Sequence, residues 1–182
     1  KDYKWAPVIP LIGGFALGAF DATKQKPVGI YSYTPFTKND SHWVNYWSDV
    51  EYKHFDNEEH EIKKQKLDFV VCLPPCAALS QLNSGSRPEV RGGCAVQNEW
   101  MFKSAQDAID HFDPEVIITE NAPALYTPKG QQVVDKLLDI AKANGRSLTL
   151  YKTSTHFHGI PQRRDRTFFF LWKSETAPIL EY

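Results

Sequence analysis

Six short runs of β-branched, aromatic and aliphatic residues, at 6–12, 28–33, 68–73, 115–119, 148–152 and 167–172, are each bounded by turn-forming or charged residues. Their length and composition predict buried strands. Between some of them the period changes. Met101, Ala105, Ala108, Ile109 and Phe112 fall at i, i+4, i+7, i+8 and i+11, one face of a helix, and Pro114 follows its end. Val133, Val134, Leu137, Leu138 and Ala141 form a second such face, closed by the pair Asn144-Gly145. The alternation predicts an α/β domain, a mainly parallel sheet flanked by helices, with ligands beyond the carboxyl ends of the strands. Two irregular stretches, 34–66 and 77–97, exceed ordinary connections and are expected to be functional or mobile loops.

Composition narrows this reading only at a few points. A chain of 182 residues with 42% hydrophobic content suits one domain with a substantial core. A net charge of -1 neither demands nor excludes a nucleic-acid partner, so any phosphate contact must come from local basic clusters. The three cysteines, Cys72, Cys76 and Cys94, are too few for a disulfide framework and lack zinc-ligand spacing. No metal is expected, and a reducing compartment is. No apolar run is long enough for a bilayer and no secretory leader is visible, so the expectation is a cytoplasmic protein, or a nuclear one, with no membrane partner.

Four strand ends carry candidate chemistry. In IGGFALG, paired glycines close a strand and open a helix, a turn that lets backbone approach a ligand or is simply tight. In VVCLPPCAALS, Cys72 reads as a small hydrophobe within the strand. Pro74 and Pro75 cannot continue a central strand, so Cys76 is expected to leave the sheet and face the ligand crevice; by itself it reads more readily as a small hydrophobe than as a nucleophile. In ITENAP, Glu120 and Asn121 follow a strand and together suit the edge of a nucleobase, although a surface charge and a turn residue are the plainer alternative. In FHGIPQRRDRTFFF, strand alternation puts Arg164 and Arg166 on one face and Arg163 on the other. Two guanidiniums aimed together can hold a carboxylate, a phosphate or a developing anion; a solvated charge run is the bland alternative.

Taken in order, IGGFALG, PPCAALS, TENAP and HGIPQRRDR resemble the motifs of the cytosine-5 DNA methyltransferase family, over roughly residues 7–172. The resemblance implies a Rossmann-like class I methyltransferase fold and transfer of a methyl group from S-adenosylmethionine to C5 of a cytosine flipped out of DNA. It implies Cys76 as the nucleophile at C6, Glu120 as the group that activates the base, and Arg164 and Arg166 as its clamp and buttress. Asn121, Ser80, Arg87, Arg91 and Gln162 are implied on the substrate side, and Ile12, Gly13, Gly14, Phe15, Asp56 and Pro75 on the donor side. Residues 77–97 would be the loop that closes over DNA.

The pattern also departs from the family. Pro7, Ile9 and Leu11 stand where the donor turn's acid, aromatic and first glycine are usual, and Ala77 replaces the glutamine after the cysteine. The second strand ends in Ser32, Tyr33 and Thr34, with no acid for the donor's ribose. The target-recognition region and closing motifs have no counterpart before Tyr182, so the whole chain is expected to be a catalytic domain that is part of a longer protein, or to be completed by a partner chain. Three other functions fit the same residues: a tRNA cytosine-5 methyltransferase, an impaired methyltransferase-like subunit that binds DNA or a partner, and a cysteine hydrolase with His156 or His158 as base.

Overall fold

The computed structural model describes residues 1–80 and 87–180. Seven strands form: β1 (Trp5–Val8), β2 (Ile30–Ser32), β3 (Tyr52–His54), β4 (Phe69–Cys72), β5 (Val116–Asn121), β6 (Ser147–Ser154) and β7 (Asp165–Trp172). The helices are α1 (Gly14–Thr23), α2 (Asp40–Tyr46), α3 (Glu99–Phe112) and α4 (Gln131–Ala143). The chain divides into two compact units, Lys1–Leu73 with Ser104–Ile117, and Pro74–Lys103 with Ile118–Tyr182.

In the first unit the strands lie in the order β3-β2-β1-β4, with the start of β5 beside β4. Parallel ladders join β1 to β2, β1 to β4 and β2 to β3. Trp5, Ala6 and Val8 of β1 are buried, as are Val70, Val71 and Cys72 of β4, the composition of a strand covered on both faces. Tyr31, Phe55 and Phe112 pack ring on ring, with centroids 4.6 to 6.0 Å apart. Buried Tyr33 donates its hydroxyl to Asp107 (2.7 Å), and burial with that carboxylate beside it pushes the phenol far above its ordinary pKa.

In the second unit the rest of β5 is followed by β7 and β6. Here the expected parallel pattern is broken: β6 and β7 are an antiparallel hairpin paired continuously from Ser147 with Trp172 to Ser154 with Asp165. Helix α4 buries Val133, Leu137 and Ala141, the i, i+4, i+8 stripe its periodicity predicts, each large side chain contributing about 1.5–3 kcal/mol.

Strand β3 and helix α2 fall within the stretch read as irregular, because three residues of strand and seven of helix are too short to show a period. The stretch 77–97 has local order at both ends, a 3-10 turn at Ala77–Leu79 and the start of another at Val96–Asn98. Buried Asn98 donates to the carbonyls of Gly92 (2.8 Å) and Gly93 (3.1 Å), holding the turn before it. Residues 81–86 of this expected loop lie outside the described residues.

Candidate functional site

Within the second unit, one cavity of about 350 Å3 is lined by Cys76, Ser80, Ala122, Pro123, Arg163, Arg164, Asp165 and Arg166. Three separate pieces of sequence supply it. Pro74 and Pro75 follow Leu73 with no strand structure, so the chain leaves β4 and delivers Cys76, half-buried, just ahead of the turn Ala77–Leu79. Ser80, at the end of that turn, lines the same wall.

Glu120 comes from β5, whose burial alternates: Ile117, Thr119 and Asn121 are buried, while Val116, Ile118 and Glu120 are half-buried on the other face. The Glu120 carboxylate meets Arg166, with Nε to Oε1 at 2.5 Å. This is an ion-pair contact rather than an aligned hydrogen bond, since the Nε proton has no partner in good geometry. Burial pushes the Glu120 carboxyl above the ordinary glutamate range, and the charges of Arg166 and Arg164 oppose that rise without cancelling it.

Arg163 corrects the sequence reading. It lines the cavity together with Arg164 and Arg166 instead of facing away, because β7 begins only at Asp165 and strand alternation does not govern the residues before it. Arg164 is instead set by its backbone. Its N–H donates to Thr155 Oγ1 (3.1 Å) and its carbonyl accepts from the Thr155 N–H (3.2 Å), while the Thr155 hydroxyl donates to the Gln162 carbonyl. Arg166 Nη1 donates to the Asp165 carbonyl (2.8 Å), and Arg163 Nε lies 3.8 Å from the Asp165 carboxylate.

Other expected substrate residues sit elsewhere. Asn121 is fully buried; its Oδ1 accepts from the Ala122 N–H (2.9 Å) and its Nδ2 donates to Met101 Sδ (3.4 Å). Alternation along β5 turns it away from Glu120, so it fixes the turn into Ala122 and Pro123 and does not face the cavity. Gln162 is exposed and enters the local structure through its backbone. Arg87 and Arg91 are exposed and do not line the Cys76 cavity; Arg87 lies 3.7 Å from Glu89. His156 and His158 are held by Ser154 (2.9 Å) and Thr153 (2.8 Å), and neither lines the cavity. A cysteine hydrolase needs an imidazole on its thiol, so the geometry speaks against that alternative. A larger groove of about 660 Å3 beside α4 and β6 shares no residue with the Cys76 cavity and offers no carboxylate, guanidinium, imidazole or thiol. Among the described residues no cluster of three His, Cys, Asp or Glu side chains could hold a metal.

The expected donor residues belong to the first unit, apart from half-buried Pro75. Gly13 is buried with φ of +103°, and a Cβ there would stand 2.7 Å from the Trp43 ring. Gly13 therefore makes room for Trp43. Gly14, the first residue of α1, is exposed, and a Cβ on it would meet nothing within 4 Å. Ile12 is 79% exposed and Phe15 half-buried. Exposed Asp56 accepts through Oδ1 from the Thr34 N–H (2.8 Å) and hydroxyl (3.1 Å). The turn thus has an open glycine face, an exposed apolar side chain and a carboxylate with Oδ2 to spare. At the end of β2, Ser32 and Tyr33 are both buried and neither is acidic.

A model of the C-5 cytosine-specific DNA methylase family matches residues 11–180. No curated protein sequence matches the chain. Among solved structures it resembles the Entamoeba histolytica methyltransferase EhMeth (TM-score 0.69, 13% identity, 100% of this chain and 56% of that one). It also resembles a DNA modification methyltransferase encoded within an E. coli prophage (TM-score 0.64, 16% identity, 94% and 47%). The S. pombe Dnmt2 methyltransferase is similar as well (TM-score 0.57, 16% identity, 98% and 51%). The chain spans about half the length of these solved structures, and at such identities the likeness is one of fold.

Proposed function

Because the chain belongs to the C-5 cytosine-specific DNA methylase family, we propose that it carries the base-activating half of a cytosine-5 methyl transfer on DNA, with Cys76 as nucleophile. The observation that carries this reading is the convergence of Cys76, Arg164 and Arg166 on one cavity, with the Glu120 carboxyl paired to Arg166.

Cytosine C5 is a weak nucleophile. Addition of the Cys76 thiolate to C6 breaks the C5–C6 double bond and moves its electrons into the ring, leaving C5 enamine-like. The negative charge gathers toward N3 and O2. Glu120, its carboxyl held protonated to higher pH than an ordinary glutamate, donates at N3, and the cavity's guanidiniums hold O2. When C5 later loses its proton, the C6–S bond breaks, aromaticity returns and Cys76 leaves as thiolate. A base stacked in a duplex cannot reach this cavity, so the target is extruded. Exposed Arg87 and Arg91 would meet the phosphates beside it.

S-adenosylmethionine, when bound, supplies an electrophilic methyl group. Gly14 at the head of α1, Ile12 and Phe15 would hold its nucleoside part, and Asp56 Oδ2 can accept from an amine. No acid at the end of β2 is available for ribose hydroxyls, so weak donor affinity is expected.

The test uses a duplex carrying 5-fluorocytosine, with donor present. Fluorine cannot leave as a proton does, so the Cys76–C6 bond should persist and appear as an adduct on a denaturing gel or by intact mass. Cys76→Ser should abolish it; Cys72→Ser and Cys94→Ser should not. Wild-type protein that binds both DNA and donor yet forms no adduct would sink the DNA reading, and an adduct on RNA alone would transfer the chemistry to RNA.

A further inference from the structure

The turn that links β1 to α1 is held in an unfavourable backbone shape by residues that do not favour it. Ile9 (φ +52°), Leu11 (φ +51°) and Gly13 (φ +103°) are all left-handed, and only the last is glycine. A β-branched side chain and a branched aliphatic one both crowd their own backbone at positive φ. Strain of this kind persists only where the surroundings over-determine it, and it concentrates at ligand clamps.

The surroundings are visible. The Ile9 N–H donates to the Tyr31 carbonyl (2.9 Å) and the Gly13 N–H to the Pro10 carbonyl (3.0 Å). Neither bond touches Leu11. What does is Trp43, from α2: its indole Nε1–H donates to the Leu11 carbonyl (2.8 Å), and its ring lies against Gly13 so closely that a Cβ there would be 2.7 Å away. Trp43 is 1% exposed and is itself packed against Trp47, with centroids 5.6 Å apart. One side chain thus grips the turn at both of its last two left-handed residues, while Ile12 between them is driven outward to 79% exposure.

We propose that Trp43 is a positioning residue for the donor turn: by fixing Leu11 in the left-handed state it presents Ile12 and Gly14 as the surface on which the donor lies. This rests on the donor reading above. The indole does with one hydrogen bond and one stacked face what a glycine at position 11 would do by conformational freedom alone.

Two predictions follow from that substitution logic, and a double-mutant cycle reads both. Trp43→Phe keeps a ring over Gly13 but removes the N–H. It should lower Tm by about 3 °C and raise the Kd for S-adenosylhomocysteine, measured by calorimetry, about threefold to tenfold, the size of one lost hydrogen bond. In a Leu11→Gly background the same bond is lost, since its acceptor is the backbone carbonyl, so Tm should fall by a similar amount, whereas the rise in Kd should largely vanish, because glycine holds the left-handed backbone without a clamp. Should Trp43→Phe alone fail to fold, the double variant is expected to fold. Equal rises in Kd in the two backgrounds would make Trp43 ordinary packing and overturn the proposal, as would a lowered Tm with donor affinity unmoved. If the wild-type protein binds no S-adenosylhomocysteine while Trp43→Phe lowers Tm as expected, the hold on the turn stands and the donor reading of the turn falls.

Discussion

Glu120 holds the most consequential balance in the second unit. Burial raises its pKa, and Arg166 and Arg164 pull it back. Arg166→Gln removes the larger opposing charge, so the carboxyl should titrate at higher pH than in the wild type, measured by 13C NMR of the labelled side chain. The sign for stability follows. A carboxyl whose folded pKa is raised binds more protons folded than unfolded. Its contribution is fully present below the ordinary glutamate range and is lost as pH rises through its own raised pKa. In Arg166→Gln that loss should come later on the pH scale. A lower Glu120 pKa in the variant would mean that the ion pair is not what the carboxyl feels. Glu120 itself was legible in the sequence as a carboxylate at the end of a strand; the direction of the residue beside it was not. Asn121 was read beside Glu120 because the strand was ended at Thr119, whereas β5 runs to Asn121 and alternation sends the two side chains to opposite faces.

At the scale of elements, Thr155 decides how the arginines are offered. Its hydroxyl and backbone hold both Gln162 and Arg164, closing the connection between β6 and β7 on itself. Thr155→Val keeps the shape and leaves the Arg164 N–H without its partner. About 1 kcal/mol of stability should be lost in denaturant unfolding. Adduct formation should slow while alkylation of Cys76 by a small reagent proceeds at the wild-type rate. Unchanged adduct kinetics would show that Arg164 needs no such anchoring. This latch was invisible in advance, since a threonine in a polar loop carries no periodic signal. The long helices were visible for the opposite reason: α3 and α4 each repeat their apolar face over more than two turns. Trp43 lay in a stretch read as irregular, and only a seven-residue helix gives it purchase on Leu11.

For the molecule as a whole, the order of motifs along the chain was the strongest signal, because each motif sits where a strand ends and strand ends are set by breakers that a sequence displays openly. Pro74 and Pro75 after β4 and Gly13 after β1 are such breakers. The antiparallel β6 was not foreseen. Direction cannot be read from a short apolar run; in the structure the connection 155–164 is too short for a helical crossover, and the two strands pair as a hairpin.

That hairpin also bears on the order of assembly. In β6 and β7, partners such as Thr153 and Arg166 are neighbours along the chain, whereas β1 must find β4 across the span from Trp5 to Phe69. Closing the short loop costs less chain entropy than closing the long one, and nearby contacts form sooner. Pulse-labelled hydrogen exchange during refolding should therefore protect the amides of β6 and β7 before those of β1 and β4, and the reverse order would refute this. The arginine wall would then be in place while the strand that leads to Cys76 is still searching for its partner.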